Sequence, residues 1–145
     1  MQIDLVGEIT PPNEGHAFIF TLVDVFTGFT VLRPLKNREM ITVTRVLWEI
    51  ICLMGPMRIL QSDHGTEFVN SMLKKLCAVY GIDKRVITPY NPRANGLVER
   101  QNKEIVVQLQ KHLARTMERW CEWLPFIQLC LNVRYLDRVG AIPSI

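Results

Sequence analysis

The chain opens with three extended apolar runs, at residues 1–8, 17–23 and 29–35, each dominated by β-branched and aromatic side chains. That composition suits strands, and the short Thr27-Gly28 turn between the second and third favours an antiparallel pair. The period then changes. Over residues 38–54 the apolar positions Met40, Val43, Leu47, Ile50 and Met54 recur at helical spacing. Asn37 stands where an N-cap would, Gly55 suits the position just past a helix, and Pro56 blocks continuation. A short apolar strand follows, Met57-Arg58-Ile59-Leu60-Gln61-Ser62, then a helix over 71–80 closed by Gly81. A fifth strand is expected over 82–88, a long helix over about 97–118 and a last helix over 123–135.

Three antiparallel strands followed by strands alternating with helices predict an α/β fold, a mixed five-stranded sheet flanked by helices. In such sheets reactive groups gather at strand ends beside a switch in connectivity. Asp4, inside the first strand, and Asp63, just past the fourth, would meet there.

Composition narrows the setting. The chain has 145 residues, 48% apolar and 21% charged, with no internal repeat or low-complexity linker, so residues 1–145 read as one domain. A net charge of +3 permits a polyanionic partner without demanding one. No apolar stretch reaches the roughly 18 residues of a membrane span; the longest, 46–54, is interrupted by Glu49. The four cysteines form no C-x-x-C pair and the three histidines are scattered, which argues against structural zinc. Cys52, Cys77 and Cys130 fall on apolar helix faces and are expected as reduced core thiols of an intracellular protein.

The chemistry rests on acids. Asp4 lies between Ile3 and Leu5, an unusual place for a carboxylate. Asp63 closes the apolar run that ends at Ser62 and leads into His64-Gly65-Thr66, a turn. Glu99 opens a helix after a loop punctuated by Pro89, Asn91, Pro92, Asn95 and Gly96, and residues 64–98 separate it from Asp63. Carboxylates on strand, strand and helix could converge on two Mg²⁺ ions, which prefer oxygen ligands and serve phosphoryl transfer in pairs. On the long helix Ile105, Leu109 and Leu113 form a stripe facing the sheet, with Glu99, Asn102, Lys103 and Gln110 on the adjoining flank. Each acid also has a plainer reading. Glu99 fits a helix-start acid paired with Lys103, Asp63 a turn residue, and Asp24 is a rival for the first carboxylate. His64 reads as a turn residue.

Two segments, Gln61-Ser62-Asp63-His64-Gly65-Thr66-Glu67-Phe68 and Thr88-Pro89-Tyr90-Asn91-Pro92-Arg93-Ala94-Asn95-Gly96-Leu97-Val98-Glu99-Arg100-Gln101-Asn102-Lys103, resemble the two signatures of the retroviral and LTR-retrotransposon (gypsy-like) integrase catalytic core. The resemblance spans nearly the whole chain. It implies an RNase H-like fold with a catalytic and metal-binding triad, Asp4, Asp63 and Glu99, on two Mg²⁺ (or Mn²⁺) ions. Asp4 would be shared by both ions. The reactions implied are trimming of a DNA 3′ end and transfer of that end into a target phosphodiester, the work of a polynucleotidyl transferase and endonuclease. Residues 89–96 match the active-site loop, in which Tyr90 and Asn95 approach DNA, and Asn102 and Lys103 match helix positions near the DNA end.

Arg93, Arg100 and Lys103 cluster around the loop and, on charge alone, would neutralise phosphates. The resemblance further implies a nuclear site of action. It also implies a homodimer through helices 38–54 and 123–135, consistent with the apolar Ile41, Val46, Trp48 and Leu53 lying off the main stripe. The family's zinc domain and C-terminal DNA-binding domain are not among these 145 residues. Two other readings stay open: a domesticated, non-catalytic DNA- or protein-binding module, and a bacterial transposase of the same fold.

Overall fold

The computed structural model describes residues 1–10, 12–87, 100, 102–107 and 119–139, the last six by backbone alone. Five strands form one sheet: β1 (Gln2–Val6), β2 (Phe18–Val23), β3 (Thr30–Leu35), β4 (Ile59–Ser62) and β5 (Asp83–Val86). Their spatial order is β3-β2-β1-β4-β5. The β1–β2 and β2–β3 pairs are antiparallel, and β1–β4 and β4–β5 are parallel. The mixed sheet predicted from the apolar runs is therefore the one observed. Helices α1 (Met40–Met54), α2 (Ser71–Val79), α3 (residues 102–107 among those described) and α4 (Trp120–Val139) accompany it.

The two-residue period of the strands divides the core into two layers. Ile3, Phe20, Leu22, Val31, Leu35 and Leu60 pack with Val43, Leu47 and Ile50 of α1 and Leu73 and Cys77 of α2. Ile19 and Leu32 pack on the opposite face with Ile105 of α3 and Trp120, Leu124, Ile127 and Leu131 of α4. Each of these side chains, fully buried, contributes roughly 1.5–3 kcal/mol. On β1, Ile3 points to the α1/α2 layer, so Asp4 points to the α3/α4 layer.

Three expectations shift. Asn37 is not the N-cap of α1; Glu39 holds that position without a side-chain bond. Instead Asn37 Oδ1 accepts from the Glu39 N–H at 3.0 Å and from Thr42 Oγ1 at 2.6 Å, organising the approach from two residues upstream. The buried stripe of α1 is Val43, Thr44, Leu47, Ile50 and Ile51, which leaves Met40 exposed along with Ile41, Trp48 and Leu53. And α4 begins at Trp120, not 123, because a distant loop caps it: Asn13 Oδ1 accepts from the Cys121 N–H at 3.0 Å while Trp120 fills the core. The thiols divide as well. Cys77 is buried as expected, Cys130 is half-buried, but Cys52 is exposed because it falls one residue past the buried Ile50–Ile51 pair.

α4 also covers the free edge of β3. Gln128 Oε1 accepts from the Leu32 N–H at 2.8 Å. One turn on, Asn132 takes the Thr30 N–H on Oδ1 at 2.8 Å and donates from Nδ2 to the Thr30 carbonyl at 3.0 Å. Two amide side chains thus replace the missing neighbouring strand, and Pro34 is tolerated in β3 because it lies on an edge.

Candidate active site

The register of the central parallel pair builds the site. Gln2 of β1 lies opposite Gln61 of β4, and the Gln61 N–H donates to the Met1 carbonyl at 2.8 Å. Two residues further along are Asp4, within β1, and Asp63, just past the end of β4, near enough for the charge of Asp63 to act on the Asp4 carboxyl. The chain leaves β1 for β2 on one side and returns to β4 on the other, so the pair sits at the switch point where such sheets collect reactive groups. Asp24, the rival acid, does not join them. It lies beyond Val23, the partner of Gln2, at the other end of the sheet, and closes the β2–β3 turn by accepting the Phe26 N–H at 3.0 Å.

Asp4 is half-buried and held at both oxygens: Oδ1 accepts from the Leu5 N–H and Oδ2 from Asn102 Nδ2, each at 2.8 Å. Burial pushes its carboxyl above the usual range. The two hydrogen bonds pull it back, and the neighbouring charges of Asp63 and Glu67 push it up again. Two mutually repelling acids with lone pairs to spare are a donor set suited to a divalent cation. Among the described residues, however, no three His, Cys, Asp or Glu side chains are spaced to hold a metal ion. Asp4 and Asp63 would need a third ligand from elsewhere in the chain.

Asp63 is exposed and begins a tight turn, with Oδ1 accepting the Gly65 N–H at 2.8 Å. His64 is an exposed residue of that turn. Gly65 lets the Glu67 carboxylate lie close against the turn: a Cβ there would stand 2.8 Å from Glu67 Oε2 and push that side chain aside. Glu67 itself is buried and pairs with Arg38 Nη2 at 2.8 Å. Behind the turn, half-buried Lys84 donates to Ser62 Oγ, and Ser62 Oγ donates to the Asp63 carbonyl at 3.0 Å. Burial lowers the Lys84 ammonium below its ordinary value.

Of the residues singled out by sequence, Asn102 and Lys103 lie on α3, Asn102 against Asp4 and Lys103 exposed. Glu99, Tyr90, Arg93 and Asn95 lie outside the described residues. Sequence reasoning passed over Arg38, Glu67 and Lys84. Glu67 stood inside a quoted motif, but nothing in a one-dimensional pattern ties it to a cation 29 residues away.

A five-stranded sheet of this topology with paired acids at its switch point defines an RNase H-like domain. A profile described as the integrase core domain matches residues 1–92. The chain belongs to that family, which is one of polynucleotidyl transferases and DNA integration. It is 34% identical over 133 residues to the Pro-Pol polyprotein of Simian foamy virus type 1, which covers 92% of this chain and 11% of the polyprotein. It is 26% identical over 141 residues to a Bos taurus protein named gypsy retrotransposon integrase-like protein 1, covering 97% of this chain and 28% of that one. The chain therefore spans only a small part of these relatives. The crystal structure of the catalytic core domain of BIV integrase shares the fold, with a TM-score of 0.75 at 23% identity over 90% of this chain and 81% of that one.

Proposed function

We propose that the chain is a metal-dependent DNA integrase core that processes 3′ ends and transfers them into target DNA, acting in the nucleus as a homodimer. The observation that supports this most directly is the register that brings Asp4 of β1 near Asp63, just past the end of β4. In this reading Glu99, three positions before Asn102 in the sequence, would supply the third carboxylate.

In this reading Asp4, Asp63 and Glu99 hold two Mg²⁺ or Mn²⁺ ions. When bound, such ions activate an attacking oxygen and stabilise the leaving one in an in-line displacement. The chain's own contribution is placement. Asn102 and the Leu5 N–H fix the Asp4 rotamer, and the Gly65 N–H and the Lys84–Ser62 contact fix the turn that carries Asp63. Lys103, with Tyr90, Arg93 and Asn95, would steady the DNA backbone. The exposed apolar residues of α1 (Ile41, Trp48, Leu53) and α4 (Trp123, Phe126, Leu129, Val133) are the surfaces through which two copies pair.

The test is a branched DNA substrate mimicking a strand-transfer product, incubated with Mn²⁺. Rejoining that disappears in Glu99→Gln supports the enzyme. Cleavage that survives Glu99→Gln, or inactivity of every length of the chain that folds and binds DNA, would sink it in favour of a binding module.

A further inference from the structure

The acid pair is walled by α3 on one side. On the other, between the end of β3 and the start of α1, stands Arg38. Its guanidinium is fixed from two directions: Nη2 bonds Glu67 Oε1 at 2.8 Å, and the ring of Phe18 lies 5.9 Å beneath it. Phe18 packs with the α1/α2 layer, so Arg38 approaches from that face of the sheet, near enough for the charges of Asp63 and Asp4 to act on it, while Asn102 meets Asp4 from the α3 side. The pairing is lopsided. The Glu67 side chain is 8% exposed, whereas that of Arg38 is 58% exposed.

A buried carboxylate needs a partner, and one N–H of Arg38 provides it. A guanidinium carries five N–H donors, and among the described residues Glu67 is the only side chain it bonds. The rest of the fork is open to solvent at the rim of the site. Lys or Arg at such a rim ordinarily loses rotamer freedom when it grips a ligand. Arg38 has already lost it to Phe18 and Glu67, so the two non-bridging oxygens of a phosphate can be gripped at little further cost.

We infer that Arg38 is a DNA phosphate ligand, set by Glu67 and Phe18 to hold the backbone on the α1 side of the acid pair while Lys103 holds it on the α3 side. The inference rests on the proposed action on DNA and adds to it a second wall of the groove. Glu67 is then a positioning residue, its carboxylate orienting the fork without meeting the nucleic acid.

Salt dependence of binding separates a phosphate contact from a structural ion pair. Each phosphate neutralised on a duplex adds about 0.9 to the slope of log affinity against log salt. Binding of a fluorescent duplex of arbitrary sequence is measured by anisotropy over a salt series, at constant divalent cation. Arg38→Gln should lower the slope by about 0.9, so that a fourfold rise in salt weakens it about 3.5-fold less than the parent protein.

The double variant Arg38→Gln/Glu67→Gln leaves no buried charge unpaired and should lose the same slope, which guards against misfolding as the cause. Arg58→Gln, exposed beside the start of β4 at the far end of the sheet, should keep the parent slope. A parent-like slope in both Arg38 variants overturns the inference and leaves Arg38 as the partner of Glu67 alone. An equal fall in Arg58→Gln overturns it too, since the effect would then be general charge. A parent protein that binds no duplex at any salt overturns the proposed function instead.

Discussion

Asn102 donates from Nδ2 to Oδ2 of Asp4 at 2.8 Å, across 98 positions of sequence. The bond joins α3 to the central strand and selects one rotamer of the Asp4 carboxylate. The other end of the same amide is odd: Asn102 Oδ1 is buried without a hydrogen-bond partner among the described residues. Replacing Asn102 by Ala removes the donor and frees the carboxylate. Loss of a group that orients a metal ligand typically costs 10–100-fold in metal affinity or activity. Asn102→Ala should accordingly raise the Mn²⁺ concentration for half-maximal cation binding, measured by calorimetry, by about that factor. An unchanged midpoint would make the bond a mere packing contact.

Asp4 itself should cost the protein stability. Burial and the fields of Asp63 and Glu67 raise its carboxyl in the folded state. A group raised on folding binds more protons in the native state, so stability falls as pH climbs from the unfolded value, about 3.9, through the native one. Above that the ionised side chain carries its full penalty. Asp4→Asn removes the charge, and the new amide can donate to the orphaned Asn102 Oδ1 if the Asn102 amide rotates. The variant should melt higher at pH 7, on the order of 2 °C, with the gain fading near pH 3. It should be inactive, and added Mg²⁺ should raise the parent's Tm at pH 7 but not the variant's. A variant that melts lower at every pH would refute the repulsion.

The edge cap of β3 is a separate question of stability. Asn132 satisfies both the N–H and the carbonyl of Thr30. Asn132→Ala strips two hydrogen bonds from a backbone that α4 shields from water, at a cost of about 1–3 kcal/mol. For a chain of this size the Tm should fall by roughly 3–10 °C, and the bared edge should make the protein prone to self-associate on heating. Light scattering during the melt checks the second effect. An Asn132→Ala protein with parental Tm would mean that solvent replaces the amide freely.

How far the sequence revealed all this depends on the range of the interaction. β1, β2 and β3 were legible because period, β-branched content and the Thr27-Gly28 turn are local. So was Asp4, since an acid between Ile3 and Leu5 has few structural excuses. The start of α4 was not legible, because its cap, Asn13, lies 108 positions away. Nor was the cation beside Glu67, supplied from the β3–α1 connection. Asn102 was read from its motif as a residue near the DNA end; its bond to Asp4, across the fold, was not legible. Local rules place elements well; the partners of polar side chains are set by tertiary contacts that no window of sequence contains.

The cysteines offer the most direct check on the layering of the helices. Cys52 is exposed on α1, Cys77 is buried under α2, and Cys121 is half-buried with Sγ 3.5 Å from the Asn13 carbonyl. Burial, reinforced by Glu14 and Glu122, pushes the Cys121 thiol up to about 11, and burial also raises Cys77. Alkylation proceeds through the thiolate, so at pH 8 only about one Cys121 in a thousand is reactive at any instant. Brief treatment of the native protein with a maleimide at that pH, followed by peptide mass analysis, should label Cys52 ahead of Cys77 and Cys121. The Cys121 rate should keep climbing as pH approaches 11. Unfolding in guanidinium should erase most of the order, because the selectivity comes chiefly from burial of the thiols in the fold. Early labelling of Cys121 in the folded protein would mean that the Asn13 loop does not rest on the start of α4.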